Sequence, residues 1–489
     1  MYNLGLTPEK GSLQLVFFIS SFLLFLITFN ITGIMVRDSM VGDIADEVEL
    51  QSGKRQEGIL FATVGFMQKL NAGLGSFFAG QVLNIINFVD RNILFAFGDT
   101  IKTEFSLSNT QWGLLTGLVF LFSYSVASVF IGVLGDRFSR TKIIGIGIIF
   151  WSAMTSLTGL AKNISTLFIS RALIGVGESS LSPNAMSMLS DVFPQERRGL
   201  ATAIYYLGIP LGVGFGFLIA SVLGPILGWR TIFISLGVIG IVIGVLIYFM
   251  TEPARGSFDK KNSQSLEQQK ISEIVKLAFK SITNSRSLWL IMLGGVIGHI
   301  PLGVGGFDTV WAVQERGFKE EEYTAIFGLF FVVGGSMGAI FGGLVGDYFA
   351  KRYKAGAMLA LVIIYSFLIP ASIYYRFASP DGIYFYIALF LITFQVTVFY
   401  GPTFAAVQSL SPYKVRTSIL AIWILGVNIV GMGIGSFFTG YLSDTLFSNF
   451  EYPLSWSTSL MAAFTFLSLI CYHLSRKTYD EDIKKAQLI

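Results

Sequence analysis

Four ionisable residues lie inside stretches of sequence that are otherwise apolar: Asp90, Arg91, Arg171 and Glu178. A charged side chain at membrane depth costs roughly 3 kcal/mol or more unless it is paired or hydrated, so these positions are the first candidates for function. Arg171 and Glu178 stand seven residues apart on one predicted helix face, where both can line the same cavity. The adjacent side chains of Asp90 and Arg91 are expected to point in different directions.

These four residue types suit proton-linked binding. Asp90 and Glu178 would bind and release a proton, while Arg91 or Arg171 would tune their proton affinity or pair with an anionic headgroup. The alternative is that the four residues form fixed salt bridges between two helices. The sequence leaves both interpretations open.

A second group of candidates combines a glycine, an acid and basic residues in a short loop. We interpret the group as a gating motif, in which the acid caps a facing helix terminus and the basic residues form ion pairs. The motif recurs less completely 211 residues later, counted from Asp136 to Asp347, which indicates a duplicated unit. The alternative is a plain basic loop. The candidates are Gly132, Asp136, Arg137 and Arg140, then Asp347, Lys351 and Arg352.

Five further polar or aromatic residues are candidates for lining a cavity: His299, Tyr205, Tyr206, Gln395 and Asn428. His299 is followed by Gly303 and Gly306 on one helix face, which predicts either a polar notch or simply a packed histidine. One cysteine and two histidines provide no disulfide framework and no metal cluster. No phosphate-binding loop is present, so we expect no metal and no cofactor.

The elements that must position these residues are predicted to be membrane-spanning helices. Of the 489 residues, 53% are hydrophobic and 13% are charged. Apolar runs of about 20 residues, each long enough to cross a bilayer, recur along the chain. We predict an all-α membrane protein with a six-helix half at residues 74–250, a linker at 251–286, a second six-helix half at 287–475 and a tail at 476–489.

Charge placement predicts how the helices are oriented. One set of alternate loops holds 21 Lys and Arg residues and the other set holds 6. Basic loops face the cytosol, so the linker and the C-terminus are predicted to be cytosolic. We expect a monomer in a bacterial inner membrane, with the lipid bilayer and a small amphipathic molecule as its partners and no affinity for nucleic acid.

From about residue 87 onward, several motifs together resemble the Spinster-like branch of the major facilitator superfamily. They include Asn87-Phe-Val-Asp90-Arg91, Gly132-Val-Leu-Gly-Asp136-Arg137, Arg171-Ala-Leu-Ile-Gly175-Val-Gly177-Glu178, Gly401-Pro402-Thr-Phe and Gly440-Tyr-Leu-Ser443-Asp444. The resemblance implies the major facilitator fold, alternating access and the same roles for Asp90 and Glu178. It also implies a lysolipid or sphingoid substrate.

Residues 12–86 resemble a different branch, the late cytosolic loop and neighbouring spans of the glycoside-cation symporters. This resemblance rests on Asp43, Asp46, Glu47 and the run Gly53-Lys-Arg-Gln-Glu57-Gly58. We predict an atypical segment at 1–73, with one extra transmembrane helix at 12–36 and a membrane-skirting helix at 59–71. The join is either a natural fusion or an artefact.

The resulting hypothesis is a secondary transporter of an amphipathic molecule that is coupled to protons, with sodium left open. Hydrophobic drugs, organic anions and sugars are alternative substrates, and a membrane sensor that does not transport is an alternative class. An enzyme is not expected, because no Ser, His and acid set and no metal cluster is visible.

Overall fold

The computed structural model describes residues 80–193, 195–253, 255, 271–412 and 415–487, and these fold almost entirely into helices. The predicted extra span at 12–36, the skirting helix at 59–71 and the start of the first core helix at 74 lie outside the described residues. The all-α prediction is confirmed.

The first half contains six helices that run back and forth between two ends of the bundle. They are α1 at 80–96, α2 at Asn109–Gly113, Leu114–Leu118 and Val119–Arg137, α3 at Arg140–Gly159, α4 at Ile164–Glu178 and Leu181–Val192, α5 at 195–227 and α6 at 229–248. A short helix, Gly98–Glu104, follows α1.

The second half repeats this arrangement with six more helices. They are α7 at Arg286–Arg316, α8 at Glu320–Arg352, α9 at Gly356–Phe377, α10 at Ile383–Leu410, α11 at Arg416–Asp444 and α12 at Pro453–Ser475. A 3-10 segment, Pro301–Phe307, interrupts α7.

Nine helices in the described residues are long and apolar enough to cross a membrane. One of the nine, Ala201–Tyr248, combines α5 and α6, because the chain turns at Gly228 without leaving its hydrogen-bonding pattern. Gly228 has φ +73°, a left-handed conformation that a glycine adopts without the strain a Cβ would cause. With the shorter α1 and α4 added, the described part of the chain contains two six-helix halves.

The sequence predicts the fourth helix of the first half as one continuous span, but the structure divides it into two helices. Helix α4 ends at Glu178 and resumes at Leu181. Pro183 explains the break, because its ring lacks an N–H and crowds the carbonyl four residues earlier. The Ser179 hydroxyl donates to the Val176 carbonyl at 2.6 Å and so completes the end of the first part.

Two segments predicted as a linker and a tail contain amphipathic helices. Ile271–Asn284 packs Ala278 and Ile282 into the core of the second half. Tyr479–Gln487 is tied to the start of α7, where the Ser287 amide donates to Asp482 at 2.8 Å. Their apolar faces are shorter than a membrane span, and this is why hydropathy alone missed both helices.

The helix bundle has two ends, which we call the linker face and the opposite face. The linker face holds the α2–α3 turn at residues 137–140 and the helices Ile271–Asn284 and Tyr479–Gln487. The opposite face holds residues 98–109, 316–320 and 444–453.

At one crossing between the two halves, two glycines face each other. A Cβ on Gly214 of α5 would lie 2.8 Å from the Gly328 carbonyl of α8, and a Cβ on Gly328 would lie 2.8 Å from the Gly214 carbonyl. Neither position has room for a side chain, so the two backbones touch directly at this crossing.

Candidate functional site

An ion pair in the interior of the first half joins α1 to α4. Arg91 donates to Glu178 Oε2 from Nε at 3.0 Å and from Nη2 at 2.8 Å. The Glu178 side chain is completely buried, whereas the Arg91 side chain keeps 19% of its surface. Three rings surround the guanidinium with their centroids at 4.8 to 5.0 Å, which provides cation–π stabilisation. These rings belong to Phe88, Phe120 and Tyr124.

Asp90 points away from this pair, as its position next to Arg91 on a helix predicts. Its Oδ2 accepts a hydrogen bond from the indole Nε1 of Trp151 on α3 at 3.1 Å. Its Oδ1 is buried and has no hydrogen-bond partner among the described atoms. Asp90 is 2% exposed, so a carboxyl group in the interior is left with one neutral donor.

Arg171 lies next to the same cluster on α4. One guanidinium nitrogen donates to the Arg91 carbonyl at 3.1 Å, and the group stacks over the Phe120 ring at 4.3 Å. Its Nε is buried without a partner in the part of the chain that the structure describes. The structure therefore brings all four predicted residues together, but it gives a direct ion pair only to Arg91 and Glu178.

The pairing within the cluster bears on both interpretations. Arg91 and Glu178 form the salt bridge that the structural alternative predicts. Asp90 Oδ1, Arg171 Nε and Glu178 Oε1 are buried without a hydrogen-bond partner among the described atoms, an arrangement that costs free energy and is typical of functional sites.

Arg140 forms a second charged cluster at the linker face of the first half. It contacts Asp191 of α4 at 2.6 Å and Glu252, just after α6, at 2.7 Å. Its Nη1 also donates to the Ser187 hydroxyl at 2.9 Å. Burial alone would raise the pKa of Glu252, but hydrogen bonds from Arg140 and Ser139 outweigh it and lower this pKa below its usual value.

The other predicted gating residues make fewer contacts. Arg137 is exposed, and a Cβ at Gly132 would meet open space. The side chain of Asp136 lies outside the described atoms. Asp347, Lys351 and Arg352 are all exposed, and Arg352 donates to the Tyr348 hydroxyl at 3.3 Å. Their gating role stays a prediction.

The five predicted cavity residues lie in different surroundings. Tyr206 is 42% exposed, and Asn428 of α11 reaches Ser125 of α2 at 3.4 Å across the two halves. Tyr205 of α5 is buried and lines an apolar pocket together with residues of α1, α3, α4 and the end of α6. The Gln395 side chain accepts from Ser372 of α9 at 2.7 Å and so is directed into the second half.

His299 is the packed, hydrogen-bonded alternative rather than the edge of a notch. Its Nδ1 lies 2.7 Å from the Gly295 carbonyl, and its ring packs on Phe399 with centroids 4.6 Å apart. The space beside Gly303 is filled by the backbone of α11, and the space beside Gly306 by Thr116. The surroundings of His299 therefore agree with the packed, hydrogen-bonded alternative and not with the polar notch.

Two carboxylates that the sequence analysis missed join the halves at the opposite face. Asp444 of α11 accepts from the backbone amides of Asn109 and Thr110 at 3.2 and 2.7 Å and from the Thr110 hydroxyl at 2.7 Å. Glu320 of α8 accepts from the amides of Asp99 and Thr100, each at 3.1 Å, and from the Thr100 hydroxyl. We call these six residues the seam.

A buried ion pair in the second half was also missed. Arg376 is one of the 6 basic residues assigned from the sequence to the less basic set of loops. In the structure it is 7% exposed and contacts Asp308 of α7 at 2.6 Å. Its guanidinium stacks over Trp311 at 4.7 Å. Across the described residues, no group of three or more His, Cys, Asp and Glu side chains is placed to hold a metal ion.

The fold and the buried charges together define a class of membrane transport protein. The family model described as Major Facilitator Superfamily matches residues 82–428, so the chain belongs to this superfamily. The model described as MFS/sugar transport protein matches residues 11–98, in agreement with the separate resemblance of the N-terminal segment.

Individual relatives of the chain include proteins of the Spinster type. Protein spinster of Drosophila melanogaster is 29% identical over 58% of this chain and 48% of that protein. The sphingosine-1-phosphate transporter SPNS2 of Danio rerio is 36% identical over 36% of each. The chain thus spans half or less of the length of these two relatives. The family consists of transporters, which supports the prediction that this protein is not an enzyme.

A solved structure supports the fold independently. A bacterial homologue of the human lysosomal transporter Spinster, in an inward-facing and unoccupied conformation, superposes with a TM-score of 0.73 at 23% identity. The match covers 84% of this chain and 98% of that one. The chain is therefore an integral, multi-pass membrane protein with the major facilitator fold.

Proposed function

We propose that this protein moves an amphipathic molecule with an anionic headgroup across the membrane by alternating access, coupled to the movement of protons. The observation that carries the proposal is Asp90, a carboxyl group that is 2% exposed and, among the described residues, has no ion pair and no hydrogen-bond partner at Oδ1. Such a group is able to gain and lose a proton while the paired residues around it stay charged.

The balance of charges suggests how substrate and proton are linked. With every group ionised, Asp90 and Glu178 balance Arg91 and Arg171, so the cluster is neutral. An anionic headgroup that approaches Arg91 or Arg171 adds a negative charge to a poorly solvated site. A proton on Asp90 restores neutrality, so substrate and proton are expected to bind together.

The aromatic surroundings of Arg91 suit an amphipathic substrate. Phe88, Phe120 and Tyr124 enclose the guanidinium, whose remaining exposed surface is available to an anionic group. The named activity of SPNS2, sphingosine-1-phosphate transport, is consistent with this substrate class. We also propose that the linker face is cytosolic, because the basic loops gather there.

The test is flux of a labelled lysophospholipid in proteoliposomes, with and without a pH gradient. We expect flux that depends on the gradient in the unaltered protein, and at least a tenfold loss in Asp90→Asn and Glu178→Gln. Glu322→Gln is the matched control, because Glu322 is 56% exposed and makes only a long contact to Lys319 at 3.8 Å.

Each outcome decides a separate part of the proposal. Flux that ignores the gradient and survives Asp90→Asn would reject proton coupling through the cluster. If lysophospholipid is not carried but a drug, an organic anion or a sugar is, the substrate class is wrong and the coupling is tested with that compound. Binding without flux for all of these would favour the sensor hypothesis.

A further inference from the structure

A tryptophan in the interior of the first half holds the proposed proton site in place. Trp151 lies on α3 and is completely buried. Its indole N–H donates to Asp90 Oδ2 at 3.1 Å, the one hydrogen bond that this carboxyl group makes with described residues. An N–H that donates to a carboxylate stabilises the ionised form more than the protonated form.

The backbone and Cβ of Trp151 pack closely against α4. A Cβ on Gly177 of α4 would lie 2.7 Å from Trp151 Cβ and 2.9 Å from the Trp151 amide nitrogen. The absence of that Cβ lets α3 and α4 touch at this level. The Thr155 hydroxyl donates to the Trp151 carbonyl at 3.0 Å one turn further along α3. The base of the Trp151 side chain is therefore held between α3 and α4, and its indole is completely buried.

The contact separates Asp90 from the ion pair beside it. The charged groups that act on Asp90 are Glu178 and Arg171, both from α4, while α3 contributes the uncharged indole. Arg91, the next residue on α1, is directed to Glu178.

We infer that Trp151 is a positioning residue for the proton step: its indole N–H holds the Asp90 carboxylate against α3 and sets the pH at which Asp90 takes up a proton. The inference rests on the proposed proton coupling, but it concerns a residue that does not touch the substrate. The hydrogen bond from Trp151 also links the protonation of Asp90 on α1 to α3, a helix that carries no charged group at the depth of Trp151.

Two other buried tryptophans in the protein provide matched controls. The indole of Trp423 donates to the Met292 carbonyl at 3.0 Å, and that of Trp112 donates to the Gly306 carbonyl at 2.7 Å. Both rings are as buried as that of Trp151. Their partners are backbone carbonyls, which do not titrate, so replacing either ring changes packing without touching a carboxyl group.

The experiment is an infrared pH titration of the full-length protein in liposomes, which follows the C=O band of protonated carboxyl groups. The Asp90 band is identified by its loss in Asp90→Asn. We expect Trp151→Phe to shift the midpoint of this band upward by about one pH unit, the size of one hydrogen bond to a carboxylate. Trp423→Phe should leave the midpoint unchanged.

A second replacement guards against simple misfolding. The isostere 3-benzothienylalanine at position 151 keeps the shape of the ring and lacks the N–H, so it should give the same upward shift. A midpoint that is unchanged in both replacements would overturn the positioning role of Trp151 while leaving proton coupling intact. If no titrating band is lost in Asp90→Asn, the proposed function fails at its proton site, and the inference falls with it.

Discussion

At the scale of single residues, Arg140 lies at the centre of the charged cluster at the linker face. Its side chain is only 4% exposed and contacts carboxylates on two different elements, Asp191 and Glu252. Removal of one acidic partner leaves Arg140 paired with the other, so the loss of stability is smaller than when a buried charge is left without any partner. Glu252 itself is 19% exposed, so solvent weakens its share of the interaction.

Neutralising Glu252 should lower stability in a way that depends on pH. The pKa of Glu252 is lowered below its ordinary value of 4.5, because the hydrogen bonds from Arg140 outweigh the effect of burial. The stabilisation is therefore present above about pH 4.5 and is lost as the pH falls through the lowered pKa. Glu252→Gln should melt roughly 2 °C below the unaltered protein at pH 7.

Thermal unfolding in detergent at pH 7 and at pH 4 measures this effect. The difference between the two proteins should shrink at the lower pH. Glu322→Gln, at an exposed position, should melt like the unaltered protein at both values. An equal deficit at pH 7 and pH 4 would contradict the role of the Glu252 charge.

The residue types of the central cluster could be predicted, but their partners could not. Charged residues at membrane depth are rare, and this alone singled out Asp90, Arg91, Arg171 and Glu178. Which carboxyl group pairs with which arginine depends on the rotation of α1 against α4, and one sequence does not define that rotation. Trp151 was missed for the same reason, because a buried tryptophan looks like ordinary core.

At the scale of elements, one glycine beside the second copy of the repeated motif is closely packed. A Cβ on Gly342 of α8 would collide with the Val398 carbonyl of α10 and lie 2.8 Å from Val398 Cα. A Cβ on Gly132 of α2, or on Gly343 at the equivalent position of α8, would meet no described atom within 4 Å. Gly342 is therefore required by helix packing, whereas Gly132 and its equivalent Gly343 are not.

The pair of glycines gives a matched test of this difference. Gly342→Ala should destabilise the protein by about 1–3 kcal/mol, because the backbones of α8 and α10 must separate to admit the methyl group. Gly132→Ala should fold with unchanged stability. Melting temperature and yield of monodisperse protein in detergent measure both. Equal losses in the two variants would contradict the requirement for a glycine at position 342.

Element boundaries show where hydropathy stops being informative. The long spans were predicted well, because an apolar run of about 20 residues has few other structures available. The break in α4 was missed although Pro183 is visible in the sequence, because prolines also occur in helices that merely bend, as Pro210 does in α5. The helices Ile271–Asn284 and Tyr479–Gln487 were not predicted, because they lie in polar segments that hydropathy does not distinguish from loops.

At the scale of the whole molecule, the seam fixes the relation between the two halves at the opposite face. Asp444 and Glu320 both come from the second half, and each accepts two backbone amides and one hydroxyl from the first half. In the proposed alternating-access cycle, these hydrogen bonds would break when the opposite face opens. The seam would then contribute to the free-energy difference between the two states.

Weakening the seam should shift the protein toward states that are open at the opposite face. In Asp444→Asn and Glu320→Gln, one oxygen becomes an NH2 group that cannot accept, at a cost of about 2 kcal/mol, or roughly 30-fold in the ratio of states. Pulsed EPR between spin labels at Lys162→Cys and Asp381→Cys, one in each half, should show a longer distance gaining population.

Glu315→Gln is the matched control for this measurement. Glu315 accepts from the amides of Leu454 and Ser455 at 2.6 and 2.8 Å, the same chemistry as the seam, but wholly within the second half. It should leave the distance between the labels unchanged. If all three variants behave alike, the seam does not control opening.

The chemistry of the seam also bears on how the chain is threaded into the membrane during its synthesis. The Lys and Arg content of the loops largely determines which loops remain in the cytosol during insertion. Basic residues added to the opposite face would therefore weaken this topological signal. Asp444 and Glu320 instead use backbone amides as their positive partners. These amides are present in any sequence and carry no topological signal, so the halves can be held together on that face without cost to correct insertion.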